Sequence, residues 1–346
     1  MIQTPTATIQ GKFEQLWHLV GDTPMLGILY EYKGKTRTVY AKCEHYNLTG
    51  SIKDRMALYI LQRAYATGMI RPGQQIVEAT SGNTGISFAA IGRALGHPVT
   101  ILMPDWLSRE RMDIIKSLGA DIIPVSKKQG GFLGSIEMSL DMAAADPNIF
   151  LPRQFENKGN AEAHQKTTAR EIWQQLHSIG QKPDAFVAGV GTGGTVMGMR
   201  AYLKMKNPYC KIHPLEPAES PTLSTGHKVG SHRIQGVSDE FIPAIVNLQE
   251  LDEIIQVSDG DAILMAQALA TQLGLAVGIS SGANILGAIK VQNYLGDRAN
   301  VVTVLADSNK KYLSTDLVKT EPIKENYLTP QIKLIDYNPV KRADAN

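Results

Sequence analysis

Along this chain, short runs rich in Val, Ile and Leu alternate with longer stretches whose apolar residues recur every third or fourth position. The short runs are "TVYAKC" (38–43), "QIVEA" (75–79), "VTILMP" (99–104), "ADIIPV" (120–125), "DAFVAGV" (184–190), "KIHPLEP" (211–217), "EIIQVS" (253–258) and "VVTVLA" (301–306). Their length and β-branched content predict strands. The stretches between them predict helices over 51–67, 85–95, 108–118, 160–178, 194–206, 260–273 and 282–295. Gly68, Gly96, Gly119 and Gly274 follow helical stretches, where a left-handed residue closes a helix. Several strands are apolar at nearly every position, as strands covered on both faces are. The alternation therefore predicts an α/β architecture of mostly parallel sheets flanked by helices. A length of 346 residues predicts two domains. After about residue 320 the periodicity weakens, and Pro322, Pro330 and Pro339 interrupt it. That tail reads as a peripheral extension packing on a subunit partner.

Composition changes this picture mainly by exclusion. The formal net charge is +2, from 35 basic and 33 acidic residues, with no long block of one sign. Nothing there points to nucleic acid or to an anionic membrane surface. The two cysteines, Cys43 and Cys210, are far apart, which argues against a disulfide framework and suits a reducing compartment. "MIQTPTATIQGKFEQLW" lacks the apolar stretch of a signal peptide, and no segment approaches the ~20 apolar residues of a bilayer span. The expectation is a soluble cytoplasmic protein.

Candidate chemistry concentrates where predicted strands pass into helices. In "NLTGSIKDRMALYI" (47–60), Ser51 and Asp54 match a helix-start pattern, with Ser51 as the cap. Lys53 then falls on the first turn, where the helix dipole disfavours an ammonium. It reads either as a surface lysine or as an amine kept available for a Schiff base. In "EATSGNTGISFAA" (78–90), Thr80, Ser81, Asn83 and Thr84 stand between strand and helix. Such a turn is a capped helix start or a carboxylate site. "AGVGTGGTVMG" (188–198) can cradle a phosphate on backbone N–H groups. It also contains G-x-G-x-x-G as Gly189, Gly191 and Gly194, with Glu216 22 residues after Gly194, so an NAD(P)-dependent oxidoreductase competes. That competitor leaves Lys53 and the Thr80–Thr84 turn without a task. A non-catalytic phosphate-binding module would need no amine. "VGISSGANILGA" (277–288) places Ser280 and Ser281 before another helix, and Asp239 lies in "HRIQGVSDEFIP" (232–243). The eight histidines show no metal-ligand spacing, and no metal site is expected.

Taken in order, "NLTGSIKDR", "EATSGNTG", "GVGTGGT" (189–195), "QGVSDEFIP" (235–243), "VGISSGA" (277–283) and "YLST" (312–315) resemble the cysteine synthase and cystathionine β-synthase family. The similarity covers roughly residues 20 to 315. It implies pyridoxal 5′-phosphate as cofactor and fold type II. The larger, cofactor-binding domain would be formed by 1–50 and 156–320, a smaller mobile domain by 51–155, and an extension by 321–346. It implies that Lys53 is the internal aldimine lysine and proton shuttle, and that Asn83 bonds the cofactor's phenolic oxygen. Gly191, Thr192, Gly193, Gly194 and Thr195 would hold the phosphate, and Ser280 would face the pyridine nitrogen. Thr80, Ser81, Thr84 and Gln154 would clasp the substrate carboxylate.

The implied reaction is β-replacement or β-elimination on O-acetylserine, serine or cysteine through an aminoacrylate, in a homodimer acting on small amino acids. Two departures stand out. Leu48 replaces the family's usual proline, and Asp239 stands where cysteine synthases carry a small residue. A carboxylate there can act as general base on water or another weak nucleophile, which would favour either release of hydrogen sulfide from cysteine to give serine or the use of a bulkier amine or thiol.

Overall fold

The computed structural model describes residues 8–238 and 240–342. Two sheets carry the chain. The larger has seven strands in the order β11-β1-β2-β10-β7-β8-β9 and the smaller four, β5-β4-β3-β6. In chain order the strands are β1 (Met25–Tyr32), β2 (Lys35–Cys43), β3 (Gln75–Ala79), β4 (Val99–Pro104), β5 (Asp121–Val125), β6 (Ile149–Phe150), β7 (Ala185–Gly189), β8 (Lys211–Pro217), β9 (Ile255–Val257), β10 (Val301–Leu305) and β11 (Ile332–Val340). The smaller sheet is wholly parallel. The larger is parallel from β2 through β10, β7 and β8 to β9, and antiparallel where β1 pairs with β2 and β11. The α/β expectation holds, and the eight strands expected are all present.

The helices are α1 (Ile9–Trp17), α2 (Lys53–Ala66), α3 (Asn83–Ala94), α4 (Arg109–Ser117), α5 (Gly131–Ala145), α6 (Gly159–Lys166), α7 (Thr168–Ser178), α8 (Gly194–Lys206), α9 (Thr222–Thr225), α10 (Asp259–Leu273) and α11 (Ile279–Leu295). They cover both faces of each sheet, so β4 and β10 are buried at every position, as their apolar sequences require. The four helix-ending glycines all sit at positive φ.

The helix expected over 160–178 is two helices that part at Thr167, whose backbone leaves the helical region (φ −116°, ψ −81°). Phe13 and Leu16, one turn apart on α1, pack into the core of the smaller sheet with Met56 and Phe88. The tail is not merely peripheral. Ile332–Val340 forms the edge strand β11, burying Leu334 and Val340 while the polar residues between them face outward. Pro339 is tolerated there because an edge strand has a side that needs no N–H donor.

Candidate active site

Four helices, α2, α3, α8 and α11, begin on one cleft between the C-terminal ends of the two sheets. The C-terminal ends of parallel strands are the usual location of ligand crevices. Each helix brings unpaired N–H groups and the positive end of its dipole, so the cleft is suited to anions before any side chain is considered.

Lys53 is the first residue of α2 and lines the cleft. The turn before it is stitched to the end of β10. Ile52 N–H donates to Ala306 O at 2.9 Å, Ser308 N–H to Gly50 O at 3.2 Å, and the Lys311 ammonium to the same Gly50 oxygen at 3.2 Å. Ser51 does not cap by the expected reciprocal box. Its hydroxyl accepts the Lys53 N–H at 3.3 Å, but Asp54 turns away to Thr49 N–H and hydroxyl, both at 2.6 Å, and to the Ser87 hydroxyl at 2.6 Å. Ser51 pairs with Asp307 in an isolated antiparallel bridge whose hydrogen bonds are made by the flanking Gly50 and Ile52. Two residues beyond Lys53, the fully buried Arg55 is clamped by Glu44 at 2.6 Å and Glu171 at 2.6 Å, with Lys42 against Glu171 at 2.8 Å. The carboxylates compensate the buried guanidinium, and although burial pushes their pKa up, Arg55 and Lys42 outweigh it and hold both below the usual carboxylate range. The lysine therefore rises from a fixed base. Leu48 is a surface residue.

Between β3 and α3, the Thr80 hydroxyl accepts Gly82 N–H at 3.0 Å. The Thr84 hydroxyl donates to Gln154 Oε1 at 2.7 Å, and Gln154 Nε2 donates to Ala79 O at 2.9 Å. Asn83 Nδ2 donates to Asp307 at 2.6 Å, which leaves its buried Oδ1 without a partner among the described residues. Asp307 also accepts the Tyr312 hydroxyl.

Between β7 and α8, Gly191 presses on the backbone so closely that a Cβ would run into the carbonyl oxygen of Gly236. Gly193 caps α8 at φ +83°. The Thr195 hydroxyl lies 3.5 Å from Nε2 of His164, a buried imidazole whose pKa burial and then Arg55 push down to about 3. Across the cleft, Ser281 accepts Ala306 N–H at 2.9 Å, which leaves Ser280 on the first turn of α11 to line the cleft.

Of the expected residues, Lys53, Thr80, Ser81, Asn83, Thr84, Gln154, Gly191, Thr192, Thr195 and Ser280 meet on this cleft. Gly193 and Gly194 lie in the same loop but back onto Val246 and Asn160. Asp239 lies outside the described residues. Sequence reasoning missed Arg111 and Phe155, which also line the cleft, and the supporting Asn160, His164 and Asp307. Gln235, Val237 and Asn284, also in the lining, fell within motifs already singled out. Glu216, the candidate ribose acid, is fully buried and committed. It accepts Leu223 N–H at 2.7 Å, the Ser224 hydroxyl and Gln256 Nε2 at 3.1 Å. That removes the residue on which a dinucleotide reading depended.

The residues fit pyridoxal phosphate. A phosphate can lie on the α8 N-terminus, an amine stands within the cleft, and Asn83 presents a buried Oδ1 without a partner among the described residues. A second anion site opens at α3. A family model described as "Pyridoxal-phosphate dependent enzyme" matches residues 16–307. The crystal structure of a hydrogen sulfide-producing enzyme from Fusobacterium nucleatum is 55% identical with TM-score 0.94, covering 96% of this chain and 99% of that one. An aspartate-to-asparagine variant of a hydrogen sulfide-producing enzyme, in complex with an α-aminoacrylate intermediate, matches with the same identity and TM-score over 95% of this chain and 99% of that one. The probable cysteine synthase of Bacillus subtilis (strain 168) is 41% identical over 299 residues, 86% of this chain and 96% of that protein. The O-acetylserine dependent cystathionine β-synthase of Helicobacter pylori is 33% identical with TM-score 0.79, over 88% of this chain and 98% of that one. The chain thus belongs to the pyridoxal-phosphate dependent enzymes of fold type II, as a cysteine synthase-like member that carries out β-replacement or β-elimination on β-substituted L-amino acids.

Proposed function

We propose that this enzyme takes L-cysteine as a substrate and releases hydrogen sulfide, with Asp239 as the general base that turns water onto the β-carbon to give serine. The observation that carries this reading is a carboxylate in the "QGVSDEFIP" loop of a chain 55% identical, over nearly its whole length, to a hydrogen sulfide-producing enzyme. The related aspartate-to-asparagine variant in complex with an α-aminoacrylate intermediate supports an aspartate acting after elimination. Cysteine formation from O-acetylserine and sulfide is the second reading, favoured by the Bacillus subtilis relative.

When bound, pyridoxal phosphate supplies the electron sink that lets an α-proton and then a β-substituent leave. Lys53 would anchor it and, freed by the incoming amino acid, would carry the α-proton. Gly191 to Thr195 would hold its phosphate on backbone N–H groups, and Asn83 would bond its phenolic oxygen. Ser280 would offer the ring nitrogen a neutral hydroxyl, without the countercharge a carboxylate would give, a setting that suits β-elimination. Thr80, Ser81, Thr84 and Gln154, with the first N–H groups of α3, clasp the substrate carboxylate.

We further infer a homodimer working in the cytoplasm; light scattering of the purified protein tests the first and cell fractionation the second. The decisive experiment incubates the holoenzyme with L-cysteine alone and measures sulfide and serine. Equal amounts of both are expected, with sulfide release strongly reduced in Asp239→Asn. An unchanged rate in that variant sinks the role of Asp239. A protein that forms cysteine from O-acetylserine and sulfide, yet releases no sulfide from cysteine, establishes the second reading instead.

A further inference from the structure

The phosphate cup and the carboxylate clasp lie at the ends of different sheets, yet one side chain touches both. Asn160, on the first turn of α6, is almost completely buried. Its Nδ2 donates to the backbone oxygen of Gln154 at 2.9 Å and to the hydroxyl of Thr192 at 2.9 Å, so both amide protons are used. With the amide reversed, Oδ1 would meet the Gln154 carbonyl, so the partners fix its orientation. Its Oδ1 lies against Gly194, the first residue of α8, where a Cβ would have no room. Beyond Gln154 the line continues, because that side chain accepts from Thr84 at 2.7 Å and donates to Ala79 O at 2.9 Å. Hydrogen bonds on either side of Gln154, joined through that residue's own covalent frame, thus connect Thr192 in the cup to Thr84 in the clasp. Buried groups in such a series cannot move independently without leaving a donor or acceptor unpaired.

We propose that Asn160 is a positioning residue that transmits the geometry of the phosphate cup to Gln154, so that affinity for the amino acid depends on a Thr192 hydroxyl the amino acid does not touch. The proposal rests on the reading of Gln154 and Thr84 as carboxylate ligands.

The experiment removes the line at each end with conservative variants, at saturating pyridoxal phosphate. Thr192→Val removes the hydroxyl that accepts from Asn160, and Asn160→Ala removes both donors. Each is expected to raise KM for the amino acid about fivefold, the weight of one neutral hydrogen bond, with kcat within about twofold. Together they are expected to do no more than either alone. Thr192→Ser, which restores the hydroxyl, is expected to restore KM. Equilibrium binding of L-alanine, which has no leaving group, read from the absorbance of the bound cofactor, is expected to weaken in parallel.

If Thr192 served the phosphate alone, Thr192→Val would weaken pyridoxal phosphate binding and leave KM and alanine affinity at wild-type values, and the proposal would be overturned. Effects that multiply in the double variant would overturn it too. If Asn160→Ala does not fold, the Thr192→Val and Thr192→Ser pair decides the matter. Gln154→Ala separates the two layers of inference. An unchanged KM there refutes the clasp itself. A raised KM there, with wild-type values in the other variants, refutes only the coupling.

Discussion

The cup on the larger sheet and the clasp on the smaller one are both strand–loop–helix turns, but they are made of different material. The cup is backbone. Gly191 and Gly194 lie flat against Gly236 and Asn160, Gly193 turns the chain at φ +83°, and no side chain could be added without moving a neighbour. The clasp is side chain. Thr80 accepts Gly82 N–H at 3.0 Å, and Thr84 and Gln154 are tied to each other at 2.7 Å. A backbone cup has little freedom left to lose, which suits a group held throughout turnover. Hydroxyl and amide side chains can exchange partners, which suits a carboxylate that arrives and leaves each cycle. The smaller sheet therefore provides adaptable contacts and the larger one a fixed seat.

The comparison presupposes one amine that serves both halves, and its removal is the largest expected effect. Lys53→Ala should abolish turnover and the visible absorbance of a Schiff base, while borohydride should fix the cofactor to the wild-type chain. A coloured, active variant would break the scheme. Next comes the cup. Gly191→Ala drives a Cβ into the Gly236 carbonyl, an overpacking of about 1–3 kcal/mol, so pyridoxal phosphate affinity should fall on the order of tenfold to a hundredfold by absorbance titration. Thr84→Val removes one hydrogen bond from the clasp and should raise KM about fivefold with kcat nearly unchanged. If Thr84→Val weakened the cofactor as much as Gly191→Ala does, the division between seat and clasp would collapse.

Much of this was legible in the sequence because the cleft is built where strands pass into helices, and glycine and hydroxyl residues cluster there for physical reasons. "QIVEA", "VTILMP" and "KIHPLEP" became strands at the expected bounds, and the loops after the first of these and after β7 carried the site. What escaped notice was of two kinds. β1 and β11 lie at the antiparallel side of the larger sheet; in β11 exposed positions and Pro339 dilute the strand pattern, whereas β1 is mostly buried and was simply passed over. Asn160, His164 and Asp307 act by meeting residues distant in the chain, so no local spacing announces them. Arg111 sits on an otherwise ordinary amphipathic helix, and only folding sets it beside Ser81, whose carbonyl it reaches at 3.3 Å. A short motif reports the groups that touch a ligand; the groups that hold those in place are scattered.

The smallest expected effect sharpens the comparison through pH, because each half rests on a buried titratable group of opposite kind. Behind the clasp, Glu78 accepts Ala79 N–H at 3.1 Å and faces the backbone N–H groups of Arg153 and Gln154. Burial nonetheless pushes it from the usual 4.5 up to about 8. Behind the cup, burial pushes His164 from 6.5 down to about 3. Folded Glu78 keeps a proton that the unfolded chain gives up, so its contribution favours folding at low pH and is lost as pH rises from 4.5 through about 8. Folded His164 refuses a proton that the unfolded chain accepts, so stability is lost as pH falls from 6.5 toward about 3. Glu44 and Glu171, both held low, steepen that acid limb. Melting temperatures from pH 4 to 9 should therefore decline on both sides. Glu78→Gln should flatten only the alkaline limb, by a few degrees, and His164→Gln only part of the acid one. If either substitution flattened both limbs, the two halves would be one electrostatic unit, and the contrast between seat and clasp would be confined to shape.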